Sequence, residues 1–346
     1  MKEPEQVQSL PCVKDARGRL LRDLRISVTD RCNFRCRYCM PREVFDENYT
    51  FLPHSSLLTF EEITRISRAF AAFGGHKLRL TGGEPLLRRD LEILIDMLVR
   101  IPGIDDIAMT TNGSLLTVER ARSLRDAGLT RVSVSLDALD DDIFMAMNDV
   151  QVPVTRVLSA IEAAQTVGLS PVKVNMVVRR GFNEGQILPM AAHFRGTEQV
   201  LRLIEYMDVG NSNGWRMDDV ISAEQMLALI GQHWPLRPLS AQISGEVARR
   251  YAYVDGMGEI GIIASVTQPF CSGCSRIRLT SDGQLFTCLF GDQDWDMRER
   301  VRRGDADEEL VNFLTQIWGK RSDHYSEVRL AITPQRNKIE MSRIGG

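Results

Sequence analysis

Six strand-then-helix units in succession predict an α/β fold built on a parallel sheet. Three observations carry that prediction. Short apolar runs rich in β-branched residues recur between residues 24 and 207, amphipathic stretches separate them, and the runs end in polar or glycine-rich turns. Such an array can lie open as a doubly wound sheet or curl into a full or partial barrel. In either arrangement ligands collect at the C-terminal ends of the strands.

The expected strands are LRISV (24–28), KLRLT (77–81), DIAMT (106–110), RVSVSL (131–136), VKVNMVV (172–178) and VLRLIEYM (200–207). Between them, TFEEITRISRAFAAFGG carries a capping box from Thr59 to Glu62 and stops on Gly74-Gly75. Helical patterns follow in RRDLEILIDMLVRI, TVERARSLRDAG and TRVLSAIEAAQTVG, the last two ending on Gly128 and Gly168. In NEGQILPMAAHFRG, Pro189 fits only a helix start, a kink or a break. The turns TGGEP, TTNG, SLDA and EYMDVGNSNG are where a site is expected. After about residue 235 the period changes. ARRYAYVD, GEIGIIASV, SRIRLTS and QLFTCLF read as antiparallel strands and hairpins, followed by a charged helix over roughly 295–320 and a tail ending MSRIGG.

A chain of 346 residues can bury a large core without disulfides. Its net charge of -3 offers no global attraction to nucleic acid or to an anionic membrane, so any anion site must be local. No apolar run reaches the ~18 residues of a membrane span, and MKEPEQVQSLPC lacks the apolar centre of a signal peptide. A cytoplasmic protein with no nucleic-acid or membrane partner is therefore expected. In a reducing compartment seven cysteines read as ligands or core residues.

Six of the seven fall into two trios. Cys32, Cys36 and Cys39 make C-x3-C-x2-C, directly after the first strand. Two or three intervening residues let thiolates wrap one corner of a metal centre. Structural zinc takes four ligands, and the nearest candidate for a fourth, His54, is some distance on. A [4Fe–4S] cluster held by three cysteines leaves one iron open for a small molecule. Zinc completed from afar, or three core thiols, remain the alternatives. The second strand ends in TGGEP, where Gly82 and Gly83 allow close backbone approach and Glu84 can hold an ammonium group.

C-x3-C-x2-C followed by a GGE turn at the next strand resembles the radical S-adenosylmethionine superfamily. The resemblance implies a partial (β/α)6 TIM-type barrel. It also implies that S-adenosylmethionine chelates the open iron and is cleaved by one electron to methionine and a 5′-deoxyadenosyl radical. The second trio, Cys271, Cys274 and Cys288 in FCSGCSRIRLTSDGQLFTCLF, again lacks an obvious fourth ligand. A zinc hairpin or a second open-iron cluster would both suit it. Arg276 and Arg278 alternate on one strand face, as two guanidiniums holding a polyphosphate would.

With the YMDVGN turn and the terminal Gly345-Gly346, these features resemble the GTP 3′,8-cyclase family of molybdenum cofactor biosynthesis from about Leu24 to the C-terminus. That resemblance implies conversion of GTP to 3′,8-cyclo-7,8-dihydro-GTP with two [4Fe–4S] clusters and S-adenosylmethionine. It implies S-adenosylmethionine contacts at Tyr38, Gly83, Ser135 and Met207. GTP contacts fall on Arg25, Arg79, Thr110, Lys173, Arg202, Arg276 and Arg278. It further implies a homodimer, a reductant protein, cyclic pyranopterin monophosphate synthase as the downstream enzyme, and a Gly-Gly tail threading toward the site. Independently of any family, Arg25, Arg79, Lys173 and Arg202 each place a cation inside an apolar strand, which is costly unless paired; converging on one cavity they would hold a triphosphate.

The expected organisation is a polar N-terminal segment (1–16), a core barrel (17–240), and a C-terminal region (241–346). That last region carries the second cluster on an antiparallel β and helical extension that closes the cavity. Cys12 has no expected role. Two other readings remain: a different radical enzyme with an auxiliary cluster acting on a peptide or sugar, which would not need the strand arginines, and a zinc-stabilised binding module.

Overall fold

The computed structural model describes residues 13–242, 245–332 and 338–345, the side chains of 330–332 excepted. Cys12 and Gly346 lie outside the described residues. Six parallel strands form the centre: β1 (Asp23–Ser27), β2 (Lys77–Thr81), β3 (Asp106–Thr111), β4 (Arg131–Ser135), β5 (Lys173–Val178) and β6 (Val200–Glu205). Each lies within two residues of its expected limits. Along them side chains alternate. Leu78, Leu80, Met109, Val134, Val174, Met176 and Leu203 point to one face and are fully buried beneath helices. Each such side chain contributes roughly 1.5–3 kcal/mol. The opposite face carries Arg25, Arg79, Thr110, Ser133, Lys173, Asn175 and Arg202, and lines a cavity.

The C-terminal strands differ from expectation. β8 (Arg249–Tyr253) and β9 (Glu259–Ile263) do pair antiparallel, as do β10 (Arg276–Leu279) and β11 (Gln284–Phe286). Yet β9 also pairs parallel with β6, and β10 parallel with β1. With the short β7 (Leu236–Pro238) and β12 (Trp295–Asp296), one twelve-stranded sheet runs β12-β11-β10-β1-β2-β3-β4-β5-β6-β9-β8-β7. The C-terminal region thus extends both edges of the central sheet. Eight successive strands in that order are parallel, and residues from all eight line the same cavity, which a partial barrel requires.

The capping box forms: Thr59 Oγ1 accepts from the amide of Glu62 (3.2 Å), and the Glu62 carboxylate accepts from the amide of Thr59 (2.8 Å), opening helix Phe60–Ala72. Pro189 is the third residue of helix Ile187–Phe194, where no intrahelical donor is needed, so it marks a start. Helices Asp141–Asn148 and Ala223–Gly231 were not expected. Both are short, but both carry side-chain caps, Asp140 on Ile143 and Ser222 on Gln225. The charged stretch over 295–320 is two helices, Met297–Arg302 and Asp307–Gly319. Among the described residues no helix is long and apolar enough to cross a membrane.

Candidate active site

A single cavity of 650 Å³ runs through the barrel interior, and all six cysteines of the two trios lie on its wall. None of the six is in a disulfide. The first trio sits on the loop after β1. Backbone bonds from Cys39 and Met40 to the carbonyl of Cys36 (2.9 and 2.8 Å) wind that loop into a tight turn. Arg35 donates to the carbonyls of Cys32, Phe34 and Phe45, all at 2.8 Å, and fixes its outer side. Among the described residues Cys32 Sγ accepts from two uncharged groups, the amide of Phe34 (3.4 Å) and the side-chain amide of Asn112 (3.9 Å). Burial, with Glu84 nearby, pushes the Cys32 thiol up to about 11.

The TGGEP turn lies directly against this loop. Gly83 N donates to the carbonyl of Thr29 (2.9 Å) and Glu84 N to that of Arg31 (2.8 Å). A Cβ on Gly82 would collide with the Thr29 carbonyl, and one on Gly83 with the Arg31 carbonyl. The two glycines thus admit the backbone of the cysteine loop. Glu84 is placed differently from the ammonium-holding role expected of it. It is buried, not part of the cavity wall, and its carboxylate accepts from Thr111 Oγ1 (2.7 Å) and the amides of Asn112 (2.7 Å) and Leu86 (3.1 Å). Its burial pushes the acid up to about 7. Tyr38, Ser135 and Met207 are on the wall. The Tyr38 hydroxyl donates to Asp137 (3.0 Å), a buried carboxylate that also accepts from the amide of Val177 (2.8 Å). Asp137 was not singled out in the sequence.

Opposite the first trio the strands bring cations together. The pleat registers Arg25 against both Arg79 and Arg278, and Asn175 against Arg202. Arg79 donates to the hydroxyls of Thr110 (3.2 Å) and Ser133 (3.4 Å). Among the described residues, none of Arg25, Arg79, Lys173, Arg202 or Arg278 has a carboxylate oxygen within 4.0 Å, and Arg25 Nε and Arg79 Nε are buried without any partner. Burial pushes Lys173 down to about 7, with Arg202 and Arg131 adding to the effect. Burial likewise lowers Arg202 and Arg278 to about 10. A wall so charged and so poorly compensated is built for a polyanion.

The second trio stands beside that wall. Arg276 reaches back to Cys274 Sγ (3.4 Å) and stacks over Phe270 at 5.2 Å. Burial opposes ionisation of Cys274, yet Arg276 and Arg321 hold it down at about 6, while burial pushes Cys288 up to about 12. His54 is exposed and is not part of the cavity wall. Among the described residues no three His, Cys, Asp or Glu side chains form a single-ion site. The C-terminal segment enters the same space: Arg278 Nη1 donates to the carbonyl of Gly345. The segment is held by Lys338 on Asp208 (2.7 Å) and by Glu340, which accepts from the amide of Asn211 and the hydroxyl of Ser212, both at 2.9 Å.

Residues 26–194 match the model of the radical SAM superfamily, and residues 199–327 that of Molybdenum Cofactor Synthesis C. A GTP 3′,8-cyclase of Acidothermus cellulolyticus is 52% identical over 96% of this chain and 99% of its own length. The chain belongs to the GTP 3′,8-cyclase family. A second member, from Staphylococcus aureus, is 48% identical over 96% of this chain and 99% of its own. In fold, the chain resembles Streptococcus suis SuiB bound to S-adenosylmethionine, with a TM-score of 0.62 over 85% of this chain and 68% of that one at 13% identity.

The six cysteines and the residues expected to hold S-adenosylmethionine and GTP thus line one cavity, Glu84 excepted. Sequence reasoning missed Arg19 and Arg321, which donate to the carbonyls of Cys271 and Cys274, Asp15, which pairs with both arginines, and Glu205. The Glu205 carboxylate ties the end of β6 to the amides of Ala223 (2.8 Å), Val266 (2.7 Å) and Thr267 (2.9 Å). A carboxylate breaking the apolar run VLRLIEYM was the available signal for Glu205. The other three had none: Arg19 and Asp15 pair locally, but the contacts that carry Arg19 to Cys271 and Arg321 to Cys274 join distant parts of the chain.

Proposed function

We propose that this chain is a GTP 3′,8-cyclase, converting GTP to 3′,8-cyclo-7,8-dihydro-GTP in the first step of molybdenum cofactor biosynthesis. The observation that carries this reading is the cation wall. Arg25, Arg79, Lys173, Arg202 and Arg278 face one cavity, between two cysteine trios, without carboxylate partners among the described residues. A peptide or sugar substrate would leave those charges uncompensated.

The donor set fits two iron–sulfur clusters. Each trio supplies three reduced thiols and leaves a cluster one iron short of a protein ligand. Cys32, Cys36 and Cys39 would hold one cluster, beside Tyr38, Gly83, Ser135 and Met207 for S-adenosylmethionine. Cys271, Cys274 and Cys288 would hold the other, beside the nucleotide. When bound, the first cluster and S-adenosylmethionine supply the one-electron cleavage that yields the hydrogen-abstracting radical. The protein's own contribution is placement. The strand cations clamp the triphosphate and so fix the ribose, Thr110 and Ser133 keep Arg79 aimed, and the buried walls exclude water. The tail at Gly345 fills space beside Arg278. A homodimer, a protein reductant and cyclic pyranopterin monophosphate synthase downstream complete the proposal, together with a cytoplasmic setting.

Iron and acid-labile sulfide analysis after anaerobic reconstitution tests the metal half. About eight irons per chain are expected, falling to about four in Cys288→Ala. Zinc without iron would overturn the reading.

A further inference from the structure

The second cysteine trio is framed by cations from the two ends of the chain. Arg321, which follows helix Asp307–Gly319, is almost wholly buried, its side chain 1% exposed. Its Nη1 donates to the carbonyl of Cys274 (2.8 Å) and its Nη2 to Cys274 Sγ (3.2 Å). Arg276 Nη2 donates to the same sulfur at 3.4 Å, so one thiol receives two guanidiniums. Arg321 is held in turn by Asp323 (3.2 Å), by Asp15 (3.6 Å) and by the Trp318 ring 4.5 Å away. From the other end of the chain, Arg19 forms a buried pair with Asp15 (2.6 Å) and donates to the carbonyls of Cys271 (2.8 Å) and Asp323 (2.7 Å). Trp318 Nε1 closes the frame on the carbonyl of Arg19 (3.0 Å). Among the described residues Arg19 Nη2 is buried without a partner, and Arg19 lies on the cavity wall.

Arg35 frames the first trio at its backbone, donating to the carbonyl of Cys32 (2.8 Å), but among the described residues no cation donates to a sulfur of that trio. Cys32 Sγ accepts from a backbone amide and an asparagine amide, both neutral. Hydrogen bonds to ligating sulfur, above all from cations, draw charge off the thiolate and favour the reduced state of a cluster. The inference rests on the reading of Cys271, Cys274 and Cys288 as a cluster site. We infer that Arg321 is a positioning residue of that site: it orients Cys274 and, by donating to its sulfur, makes a cluster held there easier to reduce than one held by Cys32, Cys36 and Cys39. Arg19 and Asp15 fix its place.

The test is a potentiometric titration of anaerobically reconstituted protein, followed by electron paramagnetic resonance, with iron counted in parallel. Cys274→Ala identifies which signal belongs to the second site. Arg321→Met is expected to move the midpoint of that signal to lower potential and leave the other unmoved. Arg321→Lys, which keeps the charge, is expected to recover most of the shift. If the methionine variant does not fold, Arg321→Gln removes the charge while keeping a donor, and the same direction is expected. An unmoved midpoint in Arg321→Met or Arg321→Gln, with about eight irons bound, overturns the role of Arg321 alone. About four irons in the wild-type protein, unchanged by Cys274→Ala, overturns the two-cluster reading and the inference with it.

Discussion

Lys173 sits on the cavity wall with its ammonium pushed down to about 7, first by burial and then by Arg202 and Arg131. Near neutral pH the free protein is therefore divided between charged and neutral forms. A triphosphate beside it favours the charged form, so binding takes up a proton above pH 7 and none well below it. GTP affinity is expected to fall as pH rises from 6.5 to 8.5. Calorimetry in buffers of different ionisation enthalpy should show proton uptake only at the higher pH. Lys173→Met should flatten that dependence and weaken binding by roughly 10- to 100-fold, the value of about 1.5–3 kcal/mol for a charge-assisted contact. Cys32→Ala should abolish 5′-deoxyadenosine formation, read by chromatography. These residues were legible because a cation in an apolar strand, or three thiols in eight positions, is anomalous on its own. Arg321 and Arg19 were not legible. Each is an ordinary arginine until the fold carries it to Cys274 or Cys271, and no local pattern encodes that meeting.

At the level of elements, the turn after β2 and the loop after β1 form one unit. Gly83→Ala sets a Cβ against the Arg31 carbonyl, a backbone atom that cannot move aside without shifting Cys32. That variant is expected to lose iron from the first site while keeping the second, and to melt earlier. The segment 338–345 is held by a buried carboxylate: Asp208 accepts from Lys338 Nζ (2.7 Å) and the Tyr325 hydroxyl (2.5 Å), and pairs with Arg329 (2.6 Å). Removing one partner from such a group costs roughly 3–5 kcal/mol. Asp208→Ala should therefore expose the tail to limited proteolysis that spares the wild-type protein. The six central strands were legible because their apolar face repeats with period two against charged or polar inward positions. The direction of β9 and β10 was not. A strand's own sequence shows that it pairs, whereas parallel or antiparallel is decided by β6 and β1, more than fifty residues away.

At the scale of the molecule, the sheet places two cysteine trios and a set of cations without carboxylate partners among the described residues around one cavity. The C-terminal region extends both edges of the central sheet and supplies part of the cavity wall, so neither half completes the cavity alone. Anaerobic turnover of the reconstituted enzyme with S-adenosylmethionine and dithionite, with and without GTP, tests this most directly. The account predicts 5′-deoxyadenosine and 3′,8-cyclo-7,8-dihydro-GTP in equal amounts when GTP is present, and neither product at a comparable rate when it is withheld. Intact clusters that yield no 5′-deoxyadenosine in response to GTP would contradict it.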